Sequence, residues 1–353
     1  MTRFNQIKYN PRERLVEVGA GLVWDDVYAA LNPLGANVVG GRATGLGVAG
    51  LSLGGGYSYI SNQYGLAIDN IVAYELVLPN GSVKTITNSS NAELFFALRG
   101  GSNNFGIVTG FTMKTYPQGQ VWGGYITFTG DAAEQLKLAT LKFMANVTDP
   151  KAAVLSTFGY TPTANTSSVN LLLFYDAPTP PASIFEDFLV IPAITTDIST
   201  RSFLSLVQAE TTESLSGLRA VVHTVAVERY DETFLDSVLN ETVFWGQKLG
   251  SSSSTFISYG IEPFITSILS HGSAYAYPPD RTKAYLPTNI YCQLTNVAKS
   301  SGQDIDHAAL YTNYALFDTP LERIYGDNLP KLKQIKAKYD PLNIMGQAGG
   351  WKL

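Results

Sequence analysis

The stretch Gly40-Gly41-Arg42-Ala43-Thr44-Gly45-Leu46-Gly47-Val48-Ala49-Gly50-Leu51-Ser52-Leu53-Gly54-Gly55-Gly56 holds eight glycines in seventeen positions. Neither a strand nor a helix gains from that density, because glycine loosens the chain and offers no side chain to pack. Something must come close to this backbone. Consecutive N–H groups form a nest for anions that side chains would obstruct, so a diphosphate is the usual visitor. A glycine-rich bend packing two sheets is the alternative. Gly45-X-Gly47-X-X-Gly50 has the spacing of a dinucleotide fingerprint, but no acidic residue closes a second strand about 20 positions later, and no helix clearly opens there. A Walker loop is excluded, since no Gly-Lys-Ser/Thr follows any glycine run.

Outward from the glycines, residues 14–20 read as a strand, and Asp25 and Asp26 open a helix through Leu34, where acidic side chains suit the positive helix start. Residues 71–78 have strand character, and Pro79-Asn80-Gly81-Ser82 is a hairpin turn, since Asn-Gly tolerates positive φ. A short helix carries Glu93 to Leu98 and stops at Gly100-Gly101; another strand follows near 106–116. After Pro117-Gln118-Gly119 the pattern changes. Strands are expected near 123–129, 153–160, 168–175, 219–229, 254–261 and 289–296, with helices near 131–146, 201–209 and 231–248. A single sheet backed by helices fits. From Ala308 the chain turns helical again, through Leu321 to Lys338.

The 353 residues carry a formal net charge of −5, and no Lys/Arg cluster offers a phosphate-tracking surface, which argues against nucleic-acid binding. One cysteine, Cys292, excludes an internal disulfide framework and a cysteine-ligated cluster within this chain. His223, His271 and His307 show neither metal-ligand spacing nor a paired nucleophile. No apolar run approaches the roughly 20 residues of a membrane span, and the opening residues lack the apolar core of a signal peptide. Against that, Asn80, Asn88, Asn146, Asn165 and Asn240 each begin an Asn-X-Ser/Thr sequon, as expected of a secreted glycoprotein whose leader lies outside this chain.

Four blocks in order carry a specific resemblance: Leu46 to Tyr57 with Gln63-Tyr64-Gly65-Leu66-Ala67-Ile68-Asp69-Asn70; Glu93 to Gly101; Asn104-Phe105-Gly106-Ile107-Val108-Thr109; and Lys338-Tyr339-Asp340-Pro341-Leu342-Asn343. Together they resemble the vanillyl-alcohol oxidase family, with its PCMH-type FAD-binding domain, and within it the berberine-bridge-enzyme-like branch. The resemblance implies an α+β fold: an FAD-binding domain (1–118), incomplete at its N-terminus, interrupted by a substrate domain (119–307) with an antiparallel sheet backed by helices. The C-terminal segment (308–353) then returns to the FAD-binding domain. It implies an FAD-dependent oxidase that takes a hydride from a small alcohol, sugar or secondary metabolite and passes electrons to dioxygen, as a monomer.

By motif, the backbone of Thr44, Gly45, Gly47, Val48, Gly50, Gly54 and Gly55 lines the diphosphate and ribose. Gly106, Ile107 and Val108 sit at the adenosine end, and Asn343 lies near the isoalloxazine, with Tyr339 a packing residue. For proton removal the candidates are Tyr57, Tyr311 and Tyr314, the last two in a block resembling the branch's Tyr-X-Asn-Tyr; a tyrosine base needs a cation or the flavin to lower its pKa. Glu262 is a further base candidate, set against a solvated edge carboxylate. Ala43 stands where some members place a cysteine bonded to the flavin, and the Arg-Ser-Gly-Gly-His type of pyrophosphate loop is expected upstream of this chain. A flavin-less metabolite binder or cyclase, or an inactive secreted fragment, are the competing readings.

Overall fold

The computed structural model describes residues 1–209, 221–250, 254–273, 275–278, 280–283, 285–289 and 294–353. Seven strands come first: β1 (Ile7–Asn10), β2 (Leu15–Gly19), β3 (Ala36–Asn37), β4 (Ile71–Val77), β5 (Val83–Thr87), β6 (Ile107–Lys114) and β7 (Tyr116–Pro117). Five of them form an antiparallel sheet in the order β1-β2-β6-β4-β5, while β3 pairs with β7. The β4–β5 connection is the expected hairpin: Val77 pairs with Val83, and Gly81 takes φ +83°, a value glycine adopts without a Cβ penalty. The helix Trp24–Leu31 continues as a 3₁₀ turn over Asn32–Leu34 and ends at Gly35, with Asp26 accepting the Val23 N–H.

Alternating residues Val16 and Val18, Tyr74 and Leu76, and Phe111 and Met113 put one face of this sheet into a core shared with Trp24, Tyr28 and Leu31. The last long helix, Leu329–Tyr339, joins the same core through Leu332 and Ile335, beside the helix Ala92–Leu98. The Tyr-Asp-Pro block then becomes intelligible. The Tyr339 hydroxyl donates to Glu93 at 2.5 Å, and the buried Asp340 carboxylate accepts the N–H groups of Ile344 (2.7 Å) and Met345 (2.8 Å) and pairs with Lys336. Burial alone would raise the Asp340 pKa, but Lys336 and the two N–H groups outweigh it and hold the carboxyl below its ordinary value. A depressed folded pKa contributes stability above the unfolded value of about 4, lost as pH falls through the folded one. Acid should therefore loosen the 340–347 turn, and wild type should lose more stability than Asp340→Asn between pH 5 and 2 in denaturant titrations.

The second sheet is built from β8 (Val121–Thr129), β9 (Ala152–Thr161), β10 (Thr166–Tyr175), β11 (Thr195–Arg201), β12 (Thr224–Val227), β13 (Ile257–Ile261) and β14 (Leu286–Asn289). All its pairings are antiparallel, in the order β11-β8-β10-β9-β13-β14-β12. Helices Ala133–Asn146 and Glu232–Gly250 back it, burying Leu136, Phe143, Phe234 and Val238 against the sheet residues Phe128, Phe158 and Leu171.

Three expectations change. The strand expected near 289–296 ends at Asn289, and Leu294–Ser300 is a helix that buries Leu294 and Ala298, four residues apart on one face; residues 290–293 lie outside the described residues. Of the strand expected near 219–229, only Thr224–Val227 is strand, and 219–220 lie outside the described residues. The helix expected from Leu321 is broken into Glu322–Tyr325 and Leu329–Tyr339 at Gly326, whose φ is +47°.

Across the two parts, Arg281 makes a two-pronged pair with Asp69: Nη2 to Oδ1 at 2.7 Å and Nη1 to Oδ2 at 3.1 Å, both side chains buried. Asp69 also accepts the Leu66 N–H at 2.9 Å.

Candidate active site

The glycine run divides into three groups by what a side chain would meet. A Cβ on Gly40 or Gly41 would lie within 2.5 Å of the Trp24 ring, and Tyr28 donates to the Gly41 carbonyl at 2.8 Å. Those two glycines serve packing. Gly54, Gly55 and Gly56 serve it too: a Cβ on Gly54 would be 2.1 Å from Asn313 Oδ1, and one on Gly55 3.1 Å from Tyr311. Gly45, Gly47 and Gly50 are different, since a Cβ on any of them would meet nothing within 4 Å and all three are exposed. Gly45 requires glycine for its φ of +77°, whereas Gly47 sits at an ordinary φ of −68° and Gly50 lies inside the helix Val48–Leu53. At Gly47 and Gly50, an open, exposed backbone with no internal need for glycine fits the approach of a diphosphate-bearing cofactor from outside.

Gly50→Ala should therefore stabilise the helix by about 0.5–1 kcal/mol while weakening FAD binding. Thermal melting and flavin titration of the same variant check both halves. Other donors of the run are engaged within the chain: the Thr44 hydroxyl (2.7 Å) and Gly45 N–H (2.8 Å) donate to Asp25, and the Val48 N–H to the Leu22 carbonyl at 2.9 Å.

Behind the run, the tyrosines assemble. Tyr311 accepts the Gly56 N–H (3.2 Å) and the Asn313 amide (2.8 Å), and its ring lies edge-on to Tyr57 and Tyr314, with centroids at 4.8 and 4.7 Å. Tyr57 stacks on Phe264 at 4.9 Å, and Tyr277 lies tilted against Tyr311 with centroids at 5.7 Å. Burial first, then neighbouring hydroxyls and Glu262, push Tyr57 well above its ordinary pKa, and burial raises Tyr311 as well. For Tyr314, burial and then Glu262 raise the pKa well above the ordinary value, and Arg42 opposes them without prevailing. All three hydroxyls keep their protons at neutral pH, so they act here as donors and acceptors rather than as standing bases.

Glu262 is no edge carboxylate exposed to solvent: its side chain is 2% exposed and pairs with Arg42 at 2.7 Å. Tyr314 closes the triangle, accepting from Arg42 and donating to Glu262 Oε1, each at 3.0 Å. Burial alone would lower the Arg42 pKa, but Glu262 and then Tyr314 raise it well above its usual value. Arg42 also lies over the Phe264 ring at 5.7 Å, and Tyr59 donates to its carbonyl at 2.9 Å. Arg42 escapes the sequence reading, although it is the one cation inside the glycine run. Tyr277 escapes it too, and only its packing on Gly55 reveals it.

The remaining candidates stand elsewhere. Gly106, Ile107 and Val108 enter β6, where Ile107 pairs with Val77 and Val108 with Leu76. Asn343 is exposed at φ +51°, where it starts the 3₁₀ turn Ile344–Gln347, and no hydrogen bond joins it to the tyrosine cluster among the described residues. His223, His271 and His307 remain apart, and no group of potential metal ligands exists among the described residues. No described helix is long and apolar enough to cross a membrane.

A glycine-lined edge beside a buried Arg–Glu–Tyr triangle, carried by the C-terminal tyrosine block, fits a cofactor-dependent enzyme. Comparison with known proteins agrees. Residues 1–87 match the FAD binding domain model, and residues 310–346 match the berberine and berberine-like model. An uncharacterized FAD-linked oxidoreductase of Arthroderma benhamiae is 41% identical over 58% of this chain and 40% of its own length. An FAD-dependent monooxygenase of Aspergillus calidoustus is 29% identical over all of this chain and 72% of its own. The chain thus spans two fifths of the first relative's length and under three quarters of the second's. A berberine bridge enzyme variant superposes with a TM-score of 0.76 over 97% of this chain and 78% of its own, at 18% identity. A carbohydrate oxidase from Microdochium nivale gives 0.71 over 97% and 79%, at 19% identity. The chain thus carries a segment that matches an FAD-binding domain and a C-terminal segment that matches the berberine-like model, and the cofactor is FAD.

Proposed function

We propose that this protein oxidises a small alcohol, sugar or secondary metabolite and passes the electrons to dioxygen. The observation that carries the reading is the Arg42–Glu262–Tyr314 triangle set against the glycine run. Bound along the open edge at Gly45, Gly47 and Gly50, FAD would supply hydride acceptance, chemistry that no side chain offers. The chain's own residues handle the proton. A substrate hydroxyl that reaches Tyr314 gives its proton to the phenol oxygen as the phenol's proton passes to Glu262 Oε1, so Tyr314 is restored and Glu262 holds the proton. Arg42 orients both partners and offsets the charge on Glu262. Gly54, Asn313 and Tyr311 fix the position of the block that carries Tyr314.

The experiment is anaerobic mixing of the FAD-loaded protein with a panel of alcohols, sugars and phenolic metabolites, followed by admission of air. Bleaching of the flavin absorbance by at least one compound, then peroxide formation in equal amount, is expected. A loaded protein that no compound bleaches would overturn the reading; bleaching without peroxide would overturn the dioxygen step alone. We further propose that the chain is exported and glycosylated, since all five sequon asparagines are exposed. Digestion by an N-glycanase after secretion from a eukaryotic host should lower its apparent mass.

A further inference from the structure

At the edge of the seven-stranded sheet, between β12 and the segment 310–323, lies a cavity of about 560 Å³. Its size falls within the ~300–1,000 Å³ typical of small-molecule sites. Val225, Ile305, Leu310 and Leu316 supply apolar walls. Three of the lining residues carry a buried polar atom without a hydrogen-bond partner among the described residues: His223 Nδ1, Thr224 Oγ1 and Arg323 Nε. Thr224 is only 1% exposed, so water on the outer surface does not satisfy its hydroxyl. Buried unpaired polar atoms are uncommon in native folds, and here three fall on residues of one cavity.

The charges narrow the chemistry. Arg323 and Asp318 both line the cavity, yet neither forms an ion pair among the described residues, with each other or with a third residue. Asp306, whose charge Arg323 feels, is engaged by Lys299. Asp318 is exposed at the cavity's mouth, with His223 near enough to feel its charge, and Arg323 is partly buried, so a molecule in the cavity can meet both charges. We propose that this cavity is a second ligand site, separate from the flavin edge, that takes a small zwitterion with an apolar side chain, of the hydrophobic amino-acid type. Its carboxylate pairs with Arg323 and receives the Thr224 hydroxyl, its ammonium faces Asp318, and its apolar body lies against Leu310 and Leu316. Because Leu310 precedes Tyr311, the two sites share one wall of backbone.

Calorimetric titration of the full chain with L-phenylalanine, 3-phenylpropionate and phenethylamine tests this. L-phenylalanine should bind about tenfold more tightly than either single-charge analogue, and Arg323→Gln and Asp318→Asn should each weaken it about tenfold. Thr224→Val, nearly isosteric, provides a third variant, and all should melt within a few degrees of wild type. Equal affinity for the three probes, binding indifferent to both charge variants, or no saturable heat with any probe would overturn the proposal.

Discussion

Glu262→Gln is expected to slow substrate-driven bleaching of the flavin by about 10²–10⁴-fold, the range for loss of a positioned proton acceptor. The amide introduced at this position could still accept from Tyr314, so geometry survives while the capacity to hold a proton goes. The change also leaves the buried Arg42 guanidinium without its counter-charge. Breaking one half of a buried pair costs about 3–5 kcal/mol, whereas removing both halves is far milder. The double variant Arg42→Met/Glu262→Gln should therefore regain most of the stability lost in Glu262→Gln while remaining slow. That separation distinguishes a chemical role from a structural one. Tyr314→Phe should also be slow, with stability nearer wild type, because it removes a hydroxyl rather than a charge. If Glu262→Gln bleached at the wild-type rate, the assignment of the proton to Glu262 would fall.

Asp69→Ala should likewise cost about 3–5 kcal/mol of stability. Its two oxygens bind both terminal nitrogens of Arg281, and both side chains are buried. Removing the carboxylate strands a guanidinium and frees the Leu66 N–H at the start of the 3₁₀ turn Ala67–Asn70. With whole domains stable by only about 5–15 kcal/mol, such a loss is conspicuous in urea unfolding. Arg281→Met should be milder than Asp69→Ala, since methionine fills the volume and leaves Asp69 its backbone N–H partner. Equal midpoints for wild type and Asp69→Ala would show that this pair contributes nothing net.

Local signals carry much of the fold. Asn80-Gly81 makes the β4–β5 hairpin readable, and Glu93 to Leu98 before Gly100 makes the helix readable, because each is decided by residues in contact along the chain. The strand β11 gives no comparable sign: it is a sheet edge whose residues are mostly exposed, so no alternation of apolar and polar positions marks it. The start of the helix Leu294–Ser300 reads in sequence as the end of the strand expected near 289–296, because a short apolar run fits either period, and only its partners decide.

The site divides in the same way. The glycine run stands out by composition and Tyr311-Thr312-Asn313-Tyr314 by resemblance alone, but the density of glycine overstates the cofactor's share, since five of the eight positions answer to Trp24, Tyr311, Asn313 and their neighbours. Glu262 cannot be separated by sequence from a solvated carboxylate, because what buries it is an arginine 220 positions away along the chain. Nor can a sequence show that burial keeps Tyr57, Tyr311 and Tyr314 protonated.

The contact between Gly54 and Asn313 has a consequence for how this sequence can drift. A methyl group at 54 would overlap the asparagine amide, at 2.1 Å from its oxygen. Relatives that carry alanine or serine at the position of Gly54 should therefore carry a smaller residue at the position of Asn313, and the two columns should change together. A lineage that changes 54 first passes through a form whose Asn313 amide must swing away and give up its hydrogen bonds to Tyr311 and the Leu51 carbonyl.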